Sequence, residues 1–276
     1  MTASRTAMLA ARKLVLLPAL AAAVVALGGC DEEKLPTGPR PTQDFGRVRF
    51  VNAARDAART DLRTDVTLEG TPFAAGLAYG AGSPQIAAGA APATFYYPVY
   101  TGSRQFVVTR TQETAPTTAP VQVLTQPFTV AASTDYTVLA VGAAPTIEGV
   151  VVTDDNTPPA AGQVKFRVIN AAPTRASIDV YVTTTPPTGT PAPDIGPLAP
   201  TFSGVAYKAA SGYVSLPAGN YTFRFTAAGS KQLLGTATVP TAVATGALAA
   251  GAIRTVVAFT PATGTATVGA TVLSDR

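Results

Sequence analysis

Cys30 is the residue of this sequence whose type and position together specify a reaction. It is the only cysteine in 276 residues and follows Leu27-Gly28-Gly29 at the end of an apolar run from Leu14 to Leu27. Arg5, Arg12 and Lys13 stand before that run as a positive flank. The run is long enough for a signal core but falls short of the ~20 residues that a membrane span needs. The small residues Gly28 and Gly29 open the backbone to a membrane-embedded peptidase. A thiol directly after the Gly29-Cys30 bond is the nucleophile that lipid transfer requires. Residues 1–29 are therefore read as a cleaved signal peptide, with Gly29 and Cys30 flanking the cut and Cys30 as the acylated residue.

The L-G-G-C arrangement resembles the bacterial lipobox, which implies an envelope protein anchored through its N-terminal lipid; the outer membrane or cell surface is expected ahead of the inner membrane, which Asp31 directly after Cys30 favours in some proteobacteria. One acyl chain binds a bilayer marginally, and the several chains of a bacterial lipoprotein make the anchor durable. From Asp31 to Asp44 the chain carries three prolines, one glycine and four acidic side chains with almost no large apolar residue. Residues 30–45 are read as a lipidated flexible tether reaching up to roughly 40 Å.

The absent residues narrow the chemistry further. There is no histidine, no tryptophan and no cysteine after Cys30, so zinc, copper, haem and histidine-based nucleophilic sites lack their usual donors. No metal, no other cofactor and no catalysis are expected. Without a cysteine pair, hydrophobic burial must hold the exported part together. Removing Arg5, Arg12 and Lys13 from twenty basic residues leaves seventeen against sixteen acidic ones, a balance that implies no nucleic-acid partner.

The 247 residues from Cys30 onward suffice for two ordinary domains, and an internal repeat divides them. Arg49-Phe50-Val51-Asn52-Ala53-Ala54 recurs as Arg167-Val168-Ile169-Asn170-Ala171-Ala172. Asp65-Val66 matches Asp179-Val180, Gly76 to Tyr79 matches Gly204 to Tyr207, and Gly102 to Val108 matches Gly219 to Phe225. Asp135 to Ala140 then pairs with Ile253 to Ala258, and Gly149 to Thr153 with Gly269 to Leu273. Each block is short, rich in β-branched and aromatic residues, and bounded by Gly, Pro, Asn or Asp, as strands are. In Asn220 to Phe225 the alternation puts Tyr221, Phe223 and Phe225 on one face, implying one buried and one wet face. The expected fold is all-β, with two tandem antiparallel immunoglobulin-like β-sandwiches at 46–160 and 161–276 following the signal peptide and tether.

Phe166 to Pro173, Ile178 to Val182 and Leu216 to Phe223 stand in an order that resembles the bacterial domain of unknown function 4397 family. The first half is similar, with Val99-Tyr100-Thr101-Gly102 where the second has a Leu-Pro-Ala-Gly turn. The resemblance implies exported or lipid-anchored β-domains, often in tandem, and no activity. Family members often carry histidine where this chain has Asn52 and Asn170, so a metal role at that position is not carried over.

Several other residues could present chemistry. Asn52 and Asn170 end matching strands and are read as turn caps. Asp65 and Asp179, or Asp154-Asp155-Asn156, could offer oxygens to calcium, which wants six to eight of them; the last group is read as an interdomain turn. Asp56, Asp61 and Asp65 form a carboxylate cluster read as a solvated turn. In Phe95-Tyr96-Tyr97-Pro98-Val99-Tyr100 both faces carry aromatics, which makes Tyr96 and Tyr100 the candidate ligand-binding pair, for a glycan or an envelope protein. Thr183 to Pro200 carries six prolines and is read as an exposed loop. The expectation is a non-catalytic binding, adhesion or spacer protein of the cell envelope; the alternative is a carbohydrate-binding or glycan-processing accessory lipoprotein using Tyr96, Tyr100 and the loop near Pro186 to Pro200.

Overall fold

A computed structural model of the chain describes residues 44–55, 64–83, 96–111, 121–186, 193–239, 247–261 and 267–275. The readings at Gly29, Cys30, Asp56, Asp61 and Phe95 and those for the signal and tether lie outside these residues. All sixteen described elements are strands. The first eight are β1 (Phe45–Arg55), β2 (Thr64–Leu68), β3 (Thr71–Leu77), β4 (Tyr97–Tyr100), β5 (Gly102–Arg110), β6 (Gln122–Val130), β7 (Asp135–Ala143) and β8 (Thr146–Asp154). The second eight are β9 (Gln163–Asn170), β10 (Ser177–Thr184), β11 (Phe202–Ala206), β12 (Val214–Pro217), β13 (Tyr221–Ala227), β14 (Leu233–Val239), β15 (Ile253–Phe259) and β16 (Gly269–Ser274).

They form two sandwiches of two four-stranded sheets, and the second repeats the strand order of the first. Sheets β4-β1-β7-β8 and β3-β2-β5-β6 make one, and β12-β9-β15-β16 and β11-β10-β13-β14 the other. Phe106 stacks on Phe128 at 5.3 Å in the first core, and Phe166 meets Phe223 edge-on at 5.3 Å in the second. Such pairs suit alternating strands, because each sheet sends every second side chain inward.

Three features differ from the sequence reading. First, β1 pairs with β7, and β9 with β15, in parallel. The strands between them make the crossover that a parallel pair requires, so the pairing is antiparallel everywhere except between β1 and β7 and between β9 and β15. Second, the β4-β1-β7-β8 and β12-β9-β15-β16 sheets have no wet face at their centres. Asp135 to Gly142 are all buried, because Val51, Ala53, Leu139 and Val141 of the first sandwich pack against Ile169, Ala171, Val257 and Leu273 of the second. Both sandwiches accordingly fall in one compact unit, Gln43–Arg276. Third, Ala140 faces Gly149 while its counterpart Ala258 faces Ala270. The last-strand blocks therefore correspond one residue away from the glycine match, and a one-residue slip exchanges the faces of a strand.

The repeated aspartates and asparagines hold the backbone. Gly76 and Gly204 adopt φ of 58° and 60°, a region that disfavours side chains, at register shifts of their strand pairs. Their amides donate to Asp65 Oδ1 at 2.7 Å and Asp179 Oδ1 at 2.6 Å. Asp179 Oδ2 also accepts from the Gly229 amide at 2.7 Å. Asn52 Oδ1 accepts from the Ala54 amide and Asn170 Oδ1 from that of Ala172; Asn170 ends β9 as expected, whereas Asn52 lies inside β1, which stays paired with β7 through Arg55. Asp179→Ala would leave two amides without their charged acceptor, so we expect urea unfolding to report a loss of about 3 kcal/mol.

Candidate functional site

The densest set of chemically capable side chains lies in the seam between the two sandwiches. On β1, Arg47, Arg49, Val51, Ala53 and Arg55 alternate toward the second sandwich, and β9 offers Lys165, Arg167 and Ile169, with Ala171 just after it, toward the first. Arg49 and Arg167 are among the largest fully buried side chains of the chain. Burying two guanidinium groups is tolerable only with charge partners, and each finds one across the seam. Arg49 Nη1 lies 2.7 Å from Asp275 Oδ1, and Arg167 Nη2 pairs with Asp154 Oδ1. Two positive and two negative groups close the charge balance.

Threonine hydroxyls link the pairs. Arg49 Nε donates to Thr137 Oγ1 at 2.8 Å, and Thr137 donates to Asp154 Oδ2 at 2.6 Å. In the second sandwich Arg167 Nε donates to Thr255 Oγ1 at 2.9 Å, and Thr255 donates to Asp275 Oδ2 at 2.6 Å. Each arginine also reaches a carbonyl of the other sandwich: Arg49 that of Ser274 at 3.3 Å and Arg167 that of Thr153 at 3.0 Å. The two halves of the network are thus the same set of contacts repeated about an approximate two-fold relation, as in an isologous interface.

Tyrosines cap the network. The Arg49 guanidinium lies 4.5 Å from the Tyr96 ring centroid, and the Tyr96 hydroxyl donates to Asp154 Oδ2 at 2.5 Å. Tyr213 takes the matching place beside Lys165 and Arg167. Burial raises both phenols, against the opposing pull of Arg49 on Tyr96 and of Arg167 on Tyr213. Tyr213 is pushed up to about 12, and Tyr96 moves in the same direction. Burial alone would lower the Arg49 pKa, but Asp275 and Asp154 outweigh it and raise it. Nearer the surface, Arg47 bonds Asp135 through Nε at 2.7 Å. Lys165 pairs with Asp155 at 3.0 Å. Hydrogen bonds from Thr157 and Lys165 hold the Asp155 carboxyl at about 2, below its usual 3.8.

This arrangement joins the two sandwiches. The seam carboxylates accept from guanidinium, threonine and tyrosine groups, and no cluster of three or more metal-ligating side chains occurs among the described residues. An open cleft of about 430 Å³ lies between β11 and β12, lined by Phe202, Ser203, Gly204, Ala210, Ser211 and Tyr213 among others. No acidic or basic side chain lines it.

The two tyrosines singled out from the sequence are separated by this geometry. Tyr96 joins the seam, whereas Tyr100 is 56% exposed at the end of β4. Asp154, read as part of a turn with calcium potential, is the acceptor at the centre of the network, while Asp155 and Asn156 serve the connection to β9. In the proline-rich segment, Lys231 donates to the carbonyls of Ile195 and Leu198 and so fastens residues 195–198 to the second sandwich. Sequence reasoning quoted Arg49, Arg167, Thr137 and Thr255 as repeat markers without a role. The paired signal that could have found the network is an arginine on a strand whose two faces both turn apolar after it.

Apolar contacts, at about 1.5–3 kcal/mol per buried Val, Leu or Ile, supply the stability of the seam. The ionic network fixes its register, because a buried pair barely gains over apolar replacements while a broken one is costly. Asp154→Ala should therefore lower stability by about 3–5 kcal/mol in denaturant unfolding, and Asp154→Leu combined with Arg167→Met should recover most of that loss. The raised phenols bind their protons more tightly in the fold than in the unfolded chain. The contribution of Tyr213 is present below pH 10 and vanishes as pH rises toward about 12, and that of Tyr96 is likewise present below pH 10 and lost at high pH. Alkaline titration followed by phenolate absorbance should show Tyr96 and Tyr213 ionising together with unfolding. The lowered carboxyl of Asp155 has the opposite sign: it stabilises above 3.8 and stops doing so as pH falls toward about 2. Carbon-detected NMR of Lys165→Ala should show that midpoint move up.

No curated protein matches the sequence. Among solved structures, the Bacillus anthracis TIE protein aligns at 12% identity with a TM-score of 0.21, covering 67% of this chain and 29% of that one. This chain therefore spans less than a third of that protein's length. Family 41 carbohydrate-binding modules from streptococcal virulence factors, described for alpha-glucan recognition, align at 11% identity and a TM-score of 0.22, covering 70% and 87%. These likenesses carry no functional argument. The sequence profile of the Domain of unknown function (DUF4397) family matches residues 46–181 and 190–276, the first stretch running from the first sandwich into β10 of the second. The chain belongs to that family.

Proposed function

We propose that this chain is a lipid-anchored protein of the bacterial cell envelope whose fused pair of sandwiches serves as a non-catalytic spacer and binding body. The observation that carries the reading is the seam. Arg49, Arg167, Asp154 and Asp275 are four buried charged groups at the seam, and all four are committed to joining the sandwiches. A body joined in this way transmits position rather than performing chemistry. Cys30 behind Leu27-Gly28-Gly29 supports the anchor and hence an envelope location with the membrane as first partner. An envelope protein or glycan would be the second.

The test is intact-mass analysis of protein purified from a bacterial membrane fraction, comparing wild type with Cys30→Ala. A mature species beginning at Cys30 with added acyl mass, lost in the variant, is expected. An unacylated soluble species cut elsewhere would overturn the anchor.

A further inference from the structure

One end of the first sandwich exposes two large aromatic side chains side by side. Phe45 opens β1, Tyr100 closes β4, and the two are cross-strand partners. They are 53% and 56% exposed, and Phe45 is the only exposed phenylalanine among the described residues. Beside them Arg104 is fixed by carbonyls, with Nε on Tyr100 O and Nη2 on Thr101 O, both at 2.9 Å. No described carboxylate neutralises it. The adjoining turn presents the small exposed residues Ala131, Ala132 and Ser133, and the Ser133 amide donates to Phe45 O at 3.0 Å. The acidic groups at this end are Asp44, whose carbonyl accepts from the Thr101 amide, and Asp135, which is paired with Arg47.

Chain continuity decides what meets this patch. Fourteen residues, Asp31 to Asp44, separate Cys30 from Phe45. A segment of that length reaches at most about 40 Å, and the other end of β1 lies roughly 35 Å further along the strand than Phe45, so Phe45 is the end of β1 held nearer the anchor. Resting on the lipid-anchor reading, we propose that Phe45 and Tyr100 form a foot that sits in the headgroup layer of the membrane holding the anchor, with Arg104 facing anionic headgroups. Tyrosine suits that layer because its ring is apolar and its hydroxyl is wet, and a nearby cation gains from an anionic surface. The foot stands the strands of the double sandwich away from the bilayer, so that the opposite end faces outward.

The chain has no tryptophan, so a single introduced one reports its own surroundings. Tyr100→Trp marks the foot. Val121→Trp marks an exposed site at the far end of β5, where the Arg110 amide donates to Val121 O. Each full-length acylated variant is reconstituted into phosphatidylcholine and phosphatidylglycerol vesicles with and without acyl-brominated lipid. The expected result is fluorescence lowered about twofold or more at position 100 and unchanged at 121. Equal, weak quenching of both variants on vesicles that carry the protein overturns the foot and leaves the anchor standing. Failure of both variants to float with the vesicles overturns anchor and foot together. A response at position 100 to soluble glycan fragments, with none to brominated lipid, would overturn the foot by assigning the patch to a glycan.

Discussion

A buried charge must have a partner, and in this chain each of the two buried seam arginines has one on the opposite sandwich. Arg49 reaches Asp275 and Arg167 reaches Asp154, while Arg49 also lies 3.4 Å from Asp154 of its own sandwich, so separating the halves would leave Arg167 and Asp275 without their ionic partners. That constraint explains why the central strands are buried on both faces, why two tyrosines lie over guanidinium groups, and why the short connection after β8 is itself tied down by Lys165. The apolar seam supplies the greater part of the favourable free energy. The ionic network permits only one register, since a shift along the strands would face like charges or leave a carboxylate dry.

The repeat gains a physical meaning from this geometry. Arg49 and Thr137 are 88 residues apart, as are Arg167 and Thr255, and each pair makes the same contact in its own half. The two halves therefore meet through the same surface, as the subunits of a two-fold dimer do, with the chain joining them. Differences accumulate away from the network. Arg47 of the first half pairs with Asp135, whereas its counterpart Lys165 pairs with Asp155 in the connection.

Strand content, the repeat and the two-sandwich architecture could be read from the sequence because each rests on local patterns. Alternation in β5 and β13 marks a core face, and Asn170 marks the end of β9, whereas β1 runs past Asn52 to Arg55. The seam was harder to read for a definite reason. Matching Gly149 to Gly269 set Asp154 against Ser274, while the hairpin register sets it against Asp275. One residue of slip hid the repeated acid that completes each half of the network. The parallel neighbours β1 and β7 were equally hidden, because pairing direction between strands far apart in sequence leaves no local pattern. Tyr96 and Tyr100 do alternate to the same side of β4, as expected. Only the depth of the seam, a long-range property, separates the buried one from the exposed one.

The central physical claim is that the two sandwiches behave as one body. Differential scanning calorimetry of the mature chain tests it most directly. A seam that couples both cores requires a single transition whose calorimetric and van't Hoff enthalpies agree. Two separable transitions, each with the enthalpy of about half the chain, would contradict it and leave the buried pairs as a contact between independent domains.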